Sequence, residues 1–142
     1  MKPKVVLVAY QHDSLLKSFS PLSSDTGCRI EATTQVSDIL RRMRGKDPGV
    51  ILLDDELEGI KAHDLVPLLK KLNPRVQIIV ISSEGSIGET KRLREAGIFY
   101  QAMKPVDLEE IRSAVACAFE KIEREQPEGW FVPLFLPGGA LA

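Results

Sequence analysis

Three polar residues in this sequence each stand at or just past the end of an apolar run. Asp54 follows Val50-Ile51-Leu52-Leu53, Ser82 follows Ile78-Ile79-Val80-Ile81, and Lys104 precedes Pro105 after the run at 98–102. A carboxylate, a hydroxyl and an ammonium brought together form a phosphoryl site. Asp54 could act as nucleophile, because a carboxylate can carry a phosphoryl group as a mixed anhydride. Ser82 could donate a hydrogen bond to a phosphoryl oxygen, and Lys104 could neutralise its charge. Singly, each residue has a plainer explanation as a turn former, a helix cap or a solvated cation. Their joint placement favours an ancestral phosphoryl site over three coincidences.

The elements that must position them are legible as alternating patterns. Residues 4–9 and 50–53 are continuous and rich in β-branched side chains, as strands buried on both faces should be, and 76–81 repeats the signature. Weaker strands are expected at 28–32 and 98–102. Leu108, Ile111, Val115, Ala118, Phe119 and Ile122 share one face of a helix over 107–124, with Asp107 as its N-cap. Leu65, Leu68, Leu69 and Leu72 mark another helix. Asp64 as its N-cap would place Pro67 in the first turn, where the missing N–H costs little. Further helices are expected at about 13–21, 36–44 and 86–96, the last closing at Gly97. Five β-α repeats imply one parallel sheet with helices on both faces. Ligands of such sheets bind beyond the carboxyl ends of the strands, where Asp54, Ser82 and Lys104 all fall.

The 142 residues carry a net charge of -1, with 44% hydrophobic and 27% charged residues. That is an ordinary composition for one soluble domain, and it offers no electrostatic case for nucleic acid or an anionic membrane. The apolar run after Met1 is too short for a signal peptide or a spanning helix, so a cytoplasmic location is expected. Cys28 and Cys117 have no metal-type spacing and read as reduced thiols packed like small apolar residues. The cluster Arg41-Arg42-Met43-Arg44 reads as a solvated helix face, and His63 as a surface residue in a loop. Residues 1–123 are expected to form the domain. Residues 124–142 form an apolar tail, with Trp130-Phe131-Val132-Pro133-Leu134-Phe135-Leu136 as its aromatic centre. It reads equally as a linker and as a docking segment.

The ordered set of Asp54 with Gly59 five residues on, Ser82-Ser83, Ala96-Gly97 and Met103-Lys104-Pro105 resembles the receiver domain of two-component response regulators over about 4–123. The resemblance implies a flavodoxin-like α/β fold with strand order 2-1-3-4-5. It also implies an aspartyl phosphate on Asp54, Ser82 and Lys104 as phosphoryl contacts, and a cis Lys104–Pro105 bond. The output or dimer face of such domains lies on helix four, strand five and helix five. Here that face includes Lys91-Arg92-Leu93-Arg94.

The departures from the pattern are as informative. The family's acidic pair after strand one, which holds Mg²⁺, is replaced by Ala9 and Tyr10. Mg²⁺ demands near-octahedral oxygen ligation, and phosphoryl transfer is mostly positioning and charge neutralisation. No metal is therefore expected; if Mg²⁺ bound, Asp54 and the Glu56 backbone carbonyl would be its ligands. A rebuilt site using His12, Asp13, Asp55 or Glu56 is a minor alternative. The family's switch aromatic is replaced by Gln101, with Tyr100 one position off and so on the other sheet face. Between Asp54 and Gly59 the usual Pro is missing, which reads as a loop variation.

Three functions remain open. The first is an atypical pseudo-receiver that acts through protein–protein contact and is not an enzyme. The second is a working phospho-receiver served by a histidine kinase. The third is a flavodoxin-like small-molecule-binding domain, although the loop after strand one lacks a phosphate cradle. The partner is a protein or effector, and a homodimer is one open arrangement.

Overall fold

The computed structural model describes residues 4–12, 17–45, 49–83 and 85–125. The central sheet has five parallel strands: β1 (Val5–Ala9), β2 (Arg29–Thr33), β3 (Val50–Asp54), β6 (Gln77–Ser82) and β7 (Tyr100–Met103). Their spatial order is β2-β1-β3-β6-β7. Counted within this sheet alone, that is the expected 2-1-3-4-5. A short antiparallel pair, β4 (Glu56–Leu57) and β5 (Ile60–Lys61), stands apart from it.

The helices are α1 (Pro21–Thr26), α2 (Val36–Arg44), α3 (Ala62–Leu72), α4 (Ile87–Ala96) and α5 (Leu108–Glu125), with a 3₁₀ turn at Lys17–Phe19 before α1. The sheet separates two cores. Val6, Val8, Tyr10, Phe19, Leu52 and Ile81 pack with α1 and with Ile111, Val115 and Phe119 of α5. Leu7, Ala9, Ile51, Leu53, Ile78 and Val80 pack with α2, α3 and α4. Alternate residues of one strand therefore serve opposite cores, which explains why the central strands are apolar without interruption.

The helix ends follow local chemistry. Asp107 caps α5 by accepting the Glu109 N–H at 3.0 Å, as its residue type predicts. Gly97 ends α4 at φ 100°, a left-handed conformation that favours glycine. Three expectations need correction. The helix over 65–72 starts at Ala62, so Asp64 is not its N-cap and Pro67 lies in its interior. His63 therefore sits on that helix rather than in a loop; its ring nitrogen lies 3.2 Å from Glu89 of α4. Cys28 is buried as expected, but Cys117 is exposed. The apolar stripe of α5 passes through Ala114 and Ala118, and Cys117 falls outside it. Of the first expected helix, over 13–21, the described part is a 3₁₀ turn at Lys17–Phe19 and then Pro21, the first residue of α1, so the α-helix itself lies later, at Pro21–Thr26. Residues 13–16, including Asp13, and the tail at 126–142 lie outside the described residues.

Candidate functional site

The carboxyl ends of β1, β3, β6 and β7 meet as the parallel register requires. Asp54 ends β3 opposite Ile81, and Ser82 ends β6 opposite Met103. Lys104 follows β7 directly, across a cis Lys104–Pro105 bond. Its backbone N–H donates to the Ser82 carbonyl at 2.8 Å, which ties the two strand ends together.

Asp54 is only 4% exposed, so its carboxylate needs partners. It has three. Oδ1 accepts from Lys104 Nζ at 2.9 Å and from the Asp55 N–H at 2.9 Å. Oδ2 accepts the backbone N–H of Gln11 at 3.1 Å. The charge is met by one ammonium, and both oxygens are engaged.

Asp55 forms a second layer. Its Oδ2 accepts both the N–H and the hydroxyl of Ser83, each at 2.8 Å. Burial opposes its ionisation, but the two Ser83 hydrogen bonds and the nearby Lys104 outweigh it and hold the carboxyl below its ordinary range. Lys104 Nζ lies 3.9 Å from Asp55 and so serves both acids.

Ala9 and Tyr10 occupy the ends of β1 without adding charge. Ala9 is fully buried toward α2 and α3. Tyr10 is buried on the other face, with its ring edge-on to Phe19 at 5.3 Å and Lys104 Nζ 5.6 Å from its centroid. Its hydroxyl has no hydrogen-bond partner among the described residues. Burial, with Asp54 and Asp55 adding repulsion, pushes its phenol well above the ordinary value, so it stays neutral.

Ser82 is buried, and its hydroxyl accepts from the side-chain amide of Gln101 at 3.2 Å. Tyr100 is turned away, with its hydroxyl donating to Glu110 at 2.6 Å. Gln101, not Tyr100, is thus the β7 side chain that meets Ser82, as the one-residue offset predicts. Asp55 and Glu56 are fixed rather than loosely placed, because Glu56 begins the β4–β5 pair. Its turn residues Glu58 and Gly59 have φ of 52° and 80°, the two positive values of a type I′ hairpin.

Ala9 and Tyr10 supply no carboxylate, an N–H group faces Asp54 Oδ2, and Lys104 engages Oδ1. Among the described residues no group of three His, Cys, Asp or Glu side chains could hold a metal.

A five-stranded parallel sheet with an acid, a hydroxyl and a lysine converging at its carboxyl edge defines a receiver-type signalling domain. The model of the response regulator receiver domain matches residues 6–116, and the chain belongs to this family. It is the receiver domain of a two-component response regulator. It is 26% identical over 115 residues to the DNA-binding transcriptional regulator NtrC of Azospirillum brasilense, covering 81% of this chain and 24% of that one. The chain thus spans about a quarter of the length of the NtrC relatives it matches. A CheY-like receiver domain protein from Methanospirillum hungatei JF-1 superposes with a TM-score of 0.79 at 19% identity, covering 88% of this chain and all of that one (100%). The beryllofluoride-activated NtrC4 receiver domain dimer superposes with a TM-score of 0.75 at 22% identity, covering 83% and 98%. Among the described residues no helix is long and apolar enough to cross a membrane.

Sequence reasoning named Asp54, Ser82 and Lys104, which meet at the sheet edge, with Tyr10 and Gln101 against Lys104 and Ser82; Ala9, also named, is buried in the core under α2, α3 and α4. It missed Gln11, which enters through its backbone N–H and so leaves no mark on residue type. It also missed Ser83 as the partner of Asp55; the adjacent hydroxyls at 82 and 83 were the available signal.

Proposed function

We propose that this domain is an atypical receiver, a pseudo-receiver whose phosphoacceptor position is neutralised from within and which acts through protein–protein contact. The observation that carries the reading is the full engagement of Asp54 by Lys104, Asp55 and Gln11 beside uncharged Ala9 and Tyr10. A receiver that takes up phosphate needs a cation to offset the incoming charge and an oxygen free to attack. Among the described residues Lys104 is the one cation touching Asp54, and it is shared with Asp55. The reading makes the domain a non-enzyme without a cofactor, working in the cytoplasm on a protein partner. Residues 1–123 are its working unit.

The second reading is a working phospho-receiver that accepts its phosphoryl group from a histidine kinase. Asp54, Ser82 and Lys104 converging at one sheet edge favour it. Amide shifts measured during titration with Mg²⁺ and then beryllofluoride separate the two. The pseudo-receiver predicts no shift at millimolar ligand. Saturable shifts centred on Asp54, Ser82 and Lys104 and reaching α4 would establish the working switch instead.

A further inference from the structure

We infer that the state of Asp54 is transmitted to the start of α2 through Gln11 and Glu58, which act as positioning residues. Three hydrogen bonds form a continuous path. The Gln11 N–H donates to Asp54 Oδ2 at 3.1 Å, and the Gln11 side-chain oxygen accepts the Glu58 N–H at 3.1 Å. The Glu58 carboxylate then accepts the N–H of Val36, the first residue of α2, at 2.6 Å.

Each link has a structural reason. The N–H groups of a helix's first turn have no partner within the helix, and the residue before α2, Gln35, makes no side-chain cap. Glu58 supplies that cap from 22 positions away in sequence, and its negative charge suits the helix N-terminus. The β4–β5 turn holds Glu58 at φ 52° next to Gly59, fixing where its N–H points and from where its side chain starts toward Val36. Gln11 belongs to the segment leaving β1 and couples this turn to the buried carboxylate. Removing the acceptor at Asp54 frees the Gln11 N–H, lets Gln11 move, and loosens the turn that caps α2. The two-state element is the capped or uncapped first turn of α2. This path leaves the pocket on the β1 side, away from Ser82, Gln101 and β7. It holds whether or not Asp54 accepts a phosphoryl group, so it can survive the failure of the pseudo-receiver reading.

The test is a mutant cycle read by backbone amide shifts. In the otherwise unmodified chain, Asp54→Ala should move the amides of Gln11, Glu58 and Val36. In a Gln11→Ala background the same change should still move the amide of residue 11, while the effect at Glu58 and Val36 falls at least about fivefold. Glu58→Gly, which suits the positive φ, should abolish the effect at Val36 alone. Gln11→Glu keeps a side-chain oxygen for the Glu58 N–H and should retain the coupling. Sheet amides such as those of Ile51 and Leu52 report whether each variant folds, and Asp54→Leu, near in size and without an acceptor, replaces Asp54→Ala if the latter does not. Shifts at Val36 that persist in Gln11→Ala, or that are absent when Gln11 is intact, would overturn the inference.

Discussion

At the residue scale, Tyr10 is a neutral, buried side chain set beside the carboxylates of Asp54 and Asp55. A carboxylate at this position would be a charge beside Asp54 and Asp55 that needs a cation. The phenol needs none, and its ring instead completes the core with Phe19. Among the described residues its buried hydroxyl has no partner, which costs on the order of 1 kcal/mol or more. Tyr10→Phe should therefore stabilise the fold by about 1 kcal/mol in denaturant unfolding. The pH dependence follows from the raised phenol pKa. Above the ordinary phenol value the unfolded chain loses this proton and the folded chain keeps it, so stability falls as pH rises. Tyr10→Phe should flatten that alkaline decline. An equally steep decline in the variant would place the loss elsewhere.

At the element scale, the helices differ in how much their ends are worth. Ser86 caps α4 by accepting the Glu89 N–H at 3.1 Å, and Glu89 also meets His63 of α3. The two helices thus share one anchor at their site-proximal ends. Ser86→Ala should destabilise the domain by about 1 kcal/mol, with amide exchange accelerated first in the opening turn of α4. Uniform acceleration across the sheet would refute a local cap. The strands were legible because two buried faces leave an unbroken apolar run. The start of α3 was not, because Asp64 and Pro67 both signal a helix beginning. The chain enters that helix early because Ala62 and Leu65 pack into the core under α2 and α4, and their burial outweighs the cost of a proline inside. The β4–β5 hairpin was also missed. Two strands of two residues each are too short to show an alternating pattern.

At the scale of the whole molecule, the pocket lies at one end of a sheet that separates two cores. Tyr10 and Ala102 belong to the α1–α5 core, and Ala9 and Leu53 to the core under α2, α3 and α4. The pseudo-receiver reading predicts that Mg²⁺ with beryllofluoride leaves the molar mass in light scattering unchanged, in contrast to the NtrC4 receiver domain, whose beryllofluoride-activated form is a dimer. A ligand-dependent doubling of mass would contradict the reading.

The sequence by itself determined the sheet, its likeness to receivers and the set of residues at its carboxyl edge. Burial on two faces writes itself into long apolar runs, and a parallel sheet delivers strand ends to one place. Only the tertiary structure decided how those residues are used. It showed Lys104 divided between Asp54 and Asp55, the Asp55 carboxylate held by Ser83, and a Gln11 N–H on the second oxygen of Asp54. The reason is that backbone donors are common to every residue type except proline. Their partners are fixed by the packing of distant segments, and no residue type announces them.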